Sequence, residues 1–201
     1  MKHPDWSGRT AVVIANGPSL DLTTAAYITG LQPCIAVNTA YTAAPNASVY
    51  YAGDFLFWRV HAERMKRQRA VRAGVTWLWT CDATAAEHFG LNRWKAKNDV
   101  GLGETMIHMN GNSGAQAINL AYLFGARKIV LLGFTMREIE GKKHFHGDHE
   151  APLVQKQLFA EWLHKMEFVA RDAKRLGVDI VNCDPLSAMQ CFRFGKLEDE
   201  L

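Results

Sequence analysis

The sequence predicts an α/β fold in which a mainly parallel sheet carries helices on both faces. Two observations support this expectation. Short apolar runs alternate with segments of helical character from Thr10 to Cys183, the pattern of a parallel sheet rather than of hairpins. One of those runs, Lys128 to Leu132 (KIVLL), is continuously apolar after its first residue, as suits a central strand buried on both faces. With 201 residues, 48% apolar and 21% charged, the chain has the size and composition of one globular domain spanning 1–201.

Taken in order, Ala11 to Ile14 is a short strand broken by Ala15, Asn16, Gly17 and Pro18, after which Ser19 to Leu22 can open a helix. Thr23 to Leu31 is a short helix closed by Gly30. Cys34 to Asn38 and Ser48 to Ala52 are further strands, the second ending at Gly53 and Asp54. Phe55 to Arg72 is helical and basic, and Val75 to Thr80 is a strand with alternating Trp77 and Trp79. Residues 83–109 show no clear periodicity and are expected to form a long excursion over the site, a lid. Asn112 or Ser113 caps an Ala- and Leu-rich helix ended by Gly125, and the KIVLL strand follows. Gln155 to Gly177 has one apolar stripe (Leu158, Trp162, Met166, Val169, Ala173, Leu176) at spacings of three and four, the clearest helix in the chain. Val178 to Cys183 is the last strand, followed by a Pro-Ser turn and a short helical tail.

The bulk properties exclude several function classes. A net charge of +3 is too small to indicate nucleic-acid binding. No apolar run reaches the length of a membrane span, and the first residues, MKHPDWSGRT, lack the apolar stretch of a secretory signal. The four cysteines, Cys34, Cys81, Cys183 and Cys191, form no C-x-x-C pair and are expected to be reduced thiols in a cytoplasmic protein.

The candidate site residues cluster where strands end. Asn16, Gly17, Pro18 and Ser19 form a strand–turn–helix start, a geometry whose backbone amides can face an anion. It is neither a Walker loop nor a dinucleotide fingerprint. Asn38 and Asp54 end the next two strands, and in an open parallel sheet ligands bind beyond those ends. Gly111, Asn112, Ser113 and Gly114 offer a second helix start of small residues, and Gly133 ends the KIVLL strand. The remaining candidates are His144, His146, Asp148 and His149 in HFHGDH. Read literally this is H-x-H-x-D-H, which suits zinc. The later ligands of a two-metal hydrolase are missing, however, since the one later histidine is His164 on the long helix. Placement after the strand ending at Gly133 favours a general acid or base, because imidazole titrates near neutrality.

With these motifs in order, VIANGPSL, NGNSG, IVLLGFTM and VNCDPLSAMQCF, the sequence resembles the sialyltransferases of glycosyltransferase family 42 over about residues 10 to 194. It also resembles the related domain of motility accessory factors and archaeal 6-hydroxymethylpterin pyrophosphokinases, and small phage proteins of this arrangement. The resemblance implies a Rossmann-like fold that binds a nucleotide or a CMP-sugar-like nucleotide sugar. It places Asn16, Gly17, Pro18 and Ser19 against sugar and phosphate, and Asn38 and Asp54 near the donor. Ser113 and Gly114 would hold cytidine or phosphate, and one of His144, His146 and His149 would be the general base. The tyrosines that stabilise the leaving phosphate in that family have no counterpart at Phe134, Thr135 and Met136.

Three functions follow as expectations. The first is a nucleotide-sugar-dependent glycosyltransferase whose histidine deprotonates an acceptor hydroxyl. The second is an Mg²⁺-dependent pyrophosphokinase or phosphohydrolase, with Asp54, Asp148 or Glu150 as the metal's carboxylate. The third is a nucleotide-binding viral protein without catalysis. The expected partner is a nucleotide-containing small molecule, with a homo-oligomer as an open option.

Overall fold

Thr10–Ile14 forms β1, and its alternation sends Ala11 and Val13 into one hydrophobic core and Val12 and Ile14 into the other. The same two-sided burial repeats in β2 (Cys34–Val37), β3 (Val49–Tyr51) and β4 (Trp77–Thr80). It repeats again after the chain returns to the sheet centre as β8 (Lys128–Leu132). The computed structural model describes residues 3–147, 152–153 and 158–201.

The other strands are short. Asn92–Arg93 (β5) extends the sheet beyond β4, and Ala96–Lys97 (β6) pairs with Ile107–His108 (β7) in a separate two-stranded ribbon. Asp179–Asn182 (β9) and Arg193–Phe194 (β10) continue from β8 on the opposite side. The main sheet therefore runs β10-β9-β8-β1-β2-β3-β4-β5, with each neighbouring pair parallel. The fold is α/β and Rossmann-like. From β1 the chain winds outward through β2 to β5, then returns to β8 and winds the other way. The reversal falls between β1 and β8, and helices leaving these two strands in opposite directions open a crevice there.

Helices α1 (Leu22–Ile28), α2 (Phe55–Lys66) and α4 (Ala83–Phe89) cover one face, through residues such as Ile28, Trp58, Met65 and Ala85. Helices α5 (Ser113–Leu123) and α6 (Phe159–Arg175) cover the other, through Ala117, Ile118, Met166 and Val169. Short turns of helix, α3 (Arg69–Arg72) and α7 (Leu197–Glu200), and a 3-10 turn at Asn38–Thr42 complete the elements. Asp21, Asp54, Asp82 and Asn112 each cap a helix by accepting from the amide three residues on. No helix among the described residues is long and apolar enough to cross a membrane.

Three local expectations change. The basic helix expected over 55–72 breaks after Lys66, because Gln68 takes an extended conformation before α3. Residues 83–109 are more regular than their composition suggests: α4 and β5 join the main fold, and Asn119 holds the following loop through the amides of Gly103 and His108. The tail after Ala188 contains a strand, β10, before its helical turn. The long helix begins at Phe159, and the expected start at Gln155 lies outside the described residues.

The far edge of the sheet, where strands begin, is closed by charges. Arg193 pairs with Asp179 and Glu200, and Lys128 reaches Glu200 at 3.0 Å. Hydrogen bonds from Arg193 and Lys128 pull the Glu200 carboxyl from 4.5 down to about 2. Because the folded state depresses this pKa, the stabilisation is complete above pH 4.5 and disappears as pH falls toward 2. Glu200→Gln should therefore lower the melting temperature at neutral pH, and the gap to wild type should close on acidification through that window. A gap independent of pH would remove Glu200 from the account.

Candidate functional site

The crevice between β1 and β8 holds a cavity of about 330 Å³, within the range of small-molecule sites. Its wall draws on Ala15 to Gly17 after β1, Asn38 after β2, Gly53 and Asp54 after β3, and Gly133 to Met136 after β8. The start of α5 supplies Gly111 to Gly114, and Lys143, His144, Phe159 and Trp162 close the other side. Of the candidate residues, Asn16, Gly17, Asn38, Asp54, Asn112, Ser113, Gly114, Gly133 and His144 thus converge on one space. Pro18, Ser19 and His146 are not in its wall, and Asp148 and His149 lie outside the described residues, as does Glu150. Only Met109 from the 83–109 span reaches it.

Packing of two loops explains the glycines. The Gly17 amide donates to Gly133 O at 2.8 Å, and a Cβ on Gly17 would stand 2.1 Å from Thr135 Oγ1 and 2.5 Å from Gly133 O. Gly133 has φ +67, and a Cβ there would lie 2.7 Å from Ala15 O. The absent side chains thus admit the neighbouring loop rather than a ligand. Ser19 locks the same junction: its hydroxyl and that of Thr135 both donate to Asp184 Oδ2, at 2.5 and 2.9 Å. Ser187 and Ala188 brace the loop from below by donating to Phe134 O and Thr135 O. The Pro-Ser turn after β9 is therefore a scaffold for the cavity.

Inside this frame, two backbone amides and two carboxamide oxygens keep no partner among the described residues. The Asn112 side chain takes the Ala115 amide at 3.1 Å, and Ser113 Oγ accepts from Gly53 N at 3.3 Å. The amides of Ser113 and Gly114, at the positive end of α5, keep no partner among the described residues. In the same wall Asn16 is 8% exposed with its Oδ1 unpaired, and Asn38 Oδ1 is also buried and unpaired. Leaving such an atom unpaired costs about 1–3 kcal/mol. Two cavity residues, Asn38 (φ 50) and Met136 (φ 52), also hold left-handed backbone, a strain that concentrates at functional sites. Gln116 is fully engaged, accepting from Tyr51 Oη and donating to Met109 O.

The histidine loop lies over the Asn16 turn. Phe145 N donates to Asn16 O at 2.9 Å, and His146 Nε2 meets Thr39 Oγ1 at 2.8 Å. The imidazoles of His144 and His146 stack at 5.2 Å with planes 7° apart. This arrangement puts His144 in the wall and sets His146 behind it, a distinction the sequence left open. For a divalent cation the described residues supply little: none forms a group of three or more ligands, and the Asp54 carboxylate caps α2 through the Phe57 amide at 2.8 Å.

Sequence reasoning missed Phe57, Met109, Met136, Phe159 and Trp162, all in the wall. Their signal was ambiguous, since Trp162 belongs equally to the core-facing stripe of α6. No protein-family model matches the chain, and no curated protein matches it, so the functional reading stands on the residues of the cavity.

Proposed function

We propose that the cavity binds a nucleotide sugar and that the protein is a glycosyltransferase with His144 as general base. The observation that carries this reading is that residues with unpaired amides and residues with unpaired carboxamide oxygens line one cavity. The Ser113 and Gly114 amides suit the oxygens of a phosphate, while Asn16 and Asn38 Oδ1 suit the hydroxyls of a sugar. A sugar joined to a phosphate presents both. As the donor's phosphate leaves with its electron pair, the same amides stabilise the growing negative charge without reorganising. His144 takes the proton of the acceptor hydroxyl as that oxygen attacks the sugar carbon. Lys143, half-buried in the same wall, pairs with Glu138 at 3.7 Å.

The test is thermal stability with a panel of nucleoside monophosphates, triphosphates and nucleotide sugars, each with Mg²⁺ and with EDTA. Stabilisation by nucleotide sugars that is indifferent to EDTA is expected. Stabilisation by a triphosphate alone, lost in EDTA, would replace the transferase by phosphate chemistry. No response to any nucleotide would overturn the reading.

A further inference from the structure

We infer that one face of α6, carrying Trp162 and Lys165, recognises a single nucleotide unit: the indole stacks on the base and the ammonium completes the phosphate site at the start of α5. The inference rests on the nucleotide reading above and names the groups that would recognise the base and the phosphate.

Three observations converge. Phe159, Trp162 and Lys165 follow one another at spacings of three, so they share one face of α6. Farther along that face Met166 and Val169 are sealed in the core at 1% and 0% exposure, whereas Phe159 and Trp162 open into the cavity wall. Phe159 meets Trp162 edge to face at 5.8 Å, which steadies the larger ring.

Lys165 has an unusual address. Its Nζ lies 3.0 Å from where a Cβ on Gly111 would stand, and Gly111, at φ +64, is in the cavity wall immediately before α5. A cation beside the positive end of a helix is unfavourable by itself. Here Glu161, one turn earlier, pairs with it. An anion held by the Ser113 and Gly114 amides turns this unfavourable placement into an attractive one. Asn16, buried, unpaired and in the same wall, points independently to a ligand in this space. Trp162 and Lys165 stand one helical turn apart, about 5–6 Å between Cβ atoms, a span compatible with the base and phosphate of one nucleotide.

The experiment measures binding of CMP, UMP, AMP and GMP, and of the corresponding uncharged nucleosides, by calorimetry in EDTA. Trp162→Ala should weaken every mononucleotide that binds wild type by about tenfold or more, and Trp162→Phe should keep most of the affinity. Lys165→Ala should weaken mononucleotides by about tenfold while leaving nucleosides unchanged, with partial recovery in Lys165→Arg. Lys165 is partly exposed and outside the core, so its variants report even if Trp162→Ala fails to fold. If wild type binds mononucleotides and both alanine variants bind them equally well, the role of α6 is overturned and the nucleotide reading stands. If wild type binds none of the four, both fall together.

Discussion

Gly17→Ala should destabilise the protein by more than about 3 kcal/mol, beyond the usual range for an overpacked methyl group. The new Cβ would meet Thr135 Oγ1 at 2.1 Å and the Gly133 carbonyl at 2.5 Å, and neither can retreat. Thr135 is buried and hydrogen-bonded to Asp184, and Gly133 O holds the Gly17 amide. For a chain of this size the melting temperature should fall by about 6–12 °C, at roughly 2–4 °C per kcal/mol. The control is Gly8→Ala. Gly8 has φ +71 with nothing within 4 Å of its Cβ position, so only the backbone term remains and the loss should be smaller. Equal losses at the two positions would mean that the junction between the β1 and β8 loops is not tightly packed.

His144→Ala should lower turnover by about 10²–10⁴, the range of general acid–base catalysis, with little change in nucleotide affinity. His144 stands in the cavity wall while the Ser113 and Gly114 amides proposed to bind the donor belong to a different element, so chemistry and binding should separate. His146→Ala should have a smaller effect, because His146 acts through its stack on His144 and its link to Thr39. Turnover is read as nucleotide released from the nucleotide sugar that binds. Wild-type rates in the His144 variant would remove it from the mechanism.

The fold was legible because parallel strands buried on both faces leave short apolar runs. Ala11 to Ile14 and Lys128 to Leu132 both showed that pattern and became neighbours at the sheet centre. Residues 83–109 hid their order because α4 is a single capped helix of seven residues and β5 has two, too short to display a period. At the cavity, strand-end polar residues marked the edge of the sheet where the cavity lies but not their own contacts. Asp54 and Asn112 cap helices, and Ser19 ties loops together through Asp184. Asn16 and Asn38 keep free oxygens. Those differences depend on contacts between residues far apart in the chain, such as Ser19 and Asp184, which no local pattern contains. Trp162 was equally hidden, since an aromatic residue in an apolar stripe reads the same whether it faces core or cavity.

The central claim is that an anionic nucleotide group docks on the first amides of α5 opposite Asn16. Amide ¹⁵N–¹H shifts during a titration with CMP, UMP, AMP or GMP test it most directly. Saturable shifts are expected, largest at the backbone amides of Ser113 and Gly114 and at the Asn16 side chain. The absence of saturable shifts there with all four nucleotides, or shifts centred instead on the surface groove lined by His3, Arg93 and Trp94, would contradict it.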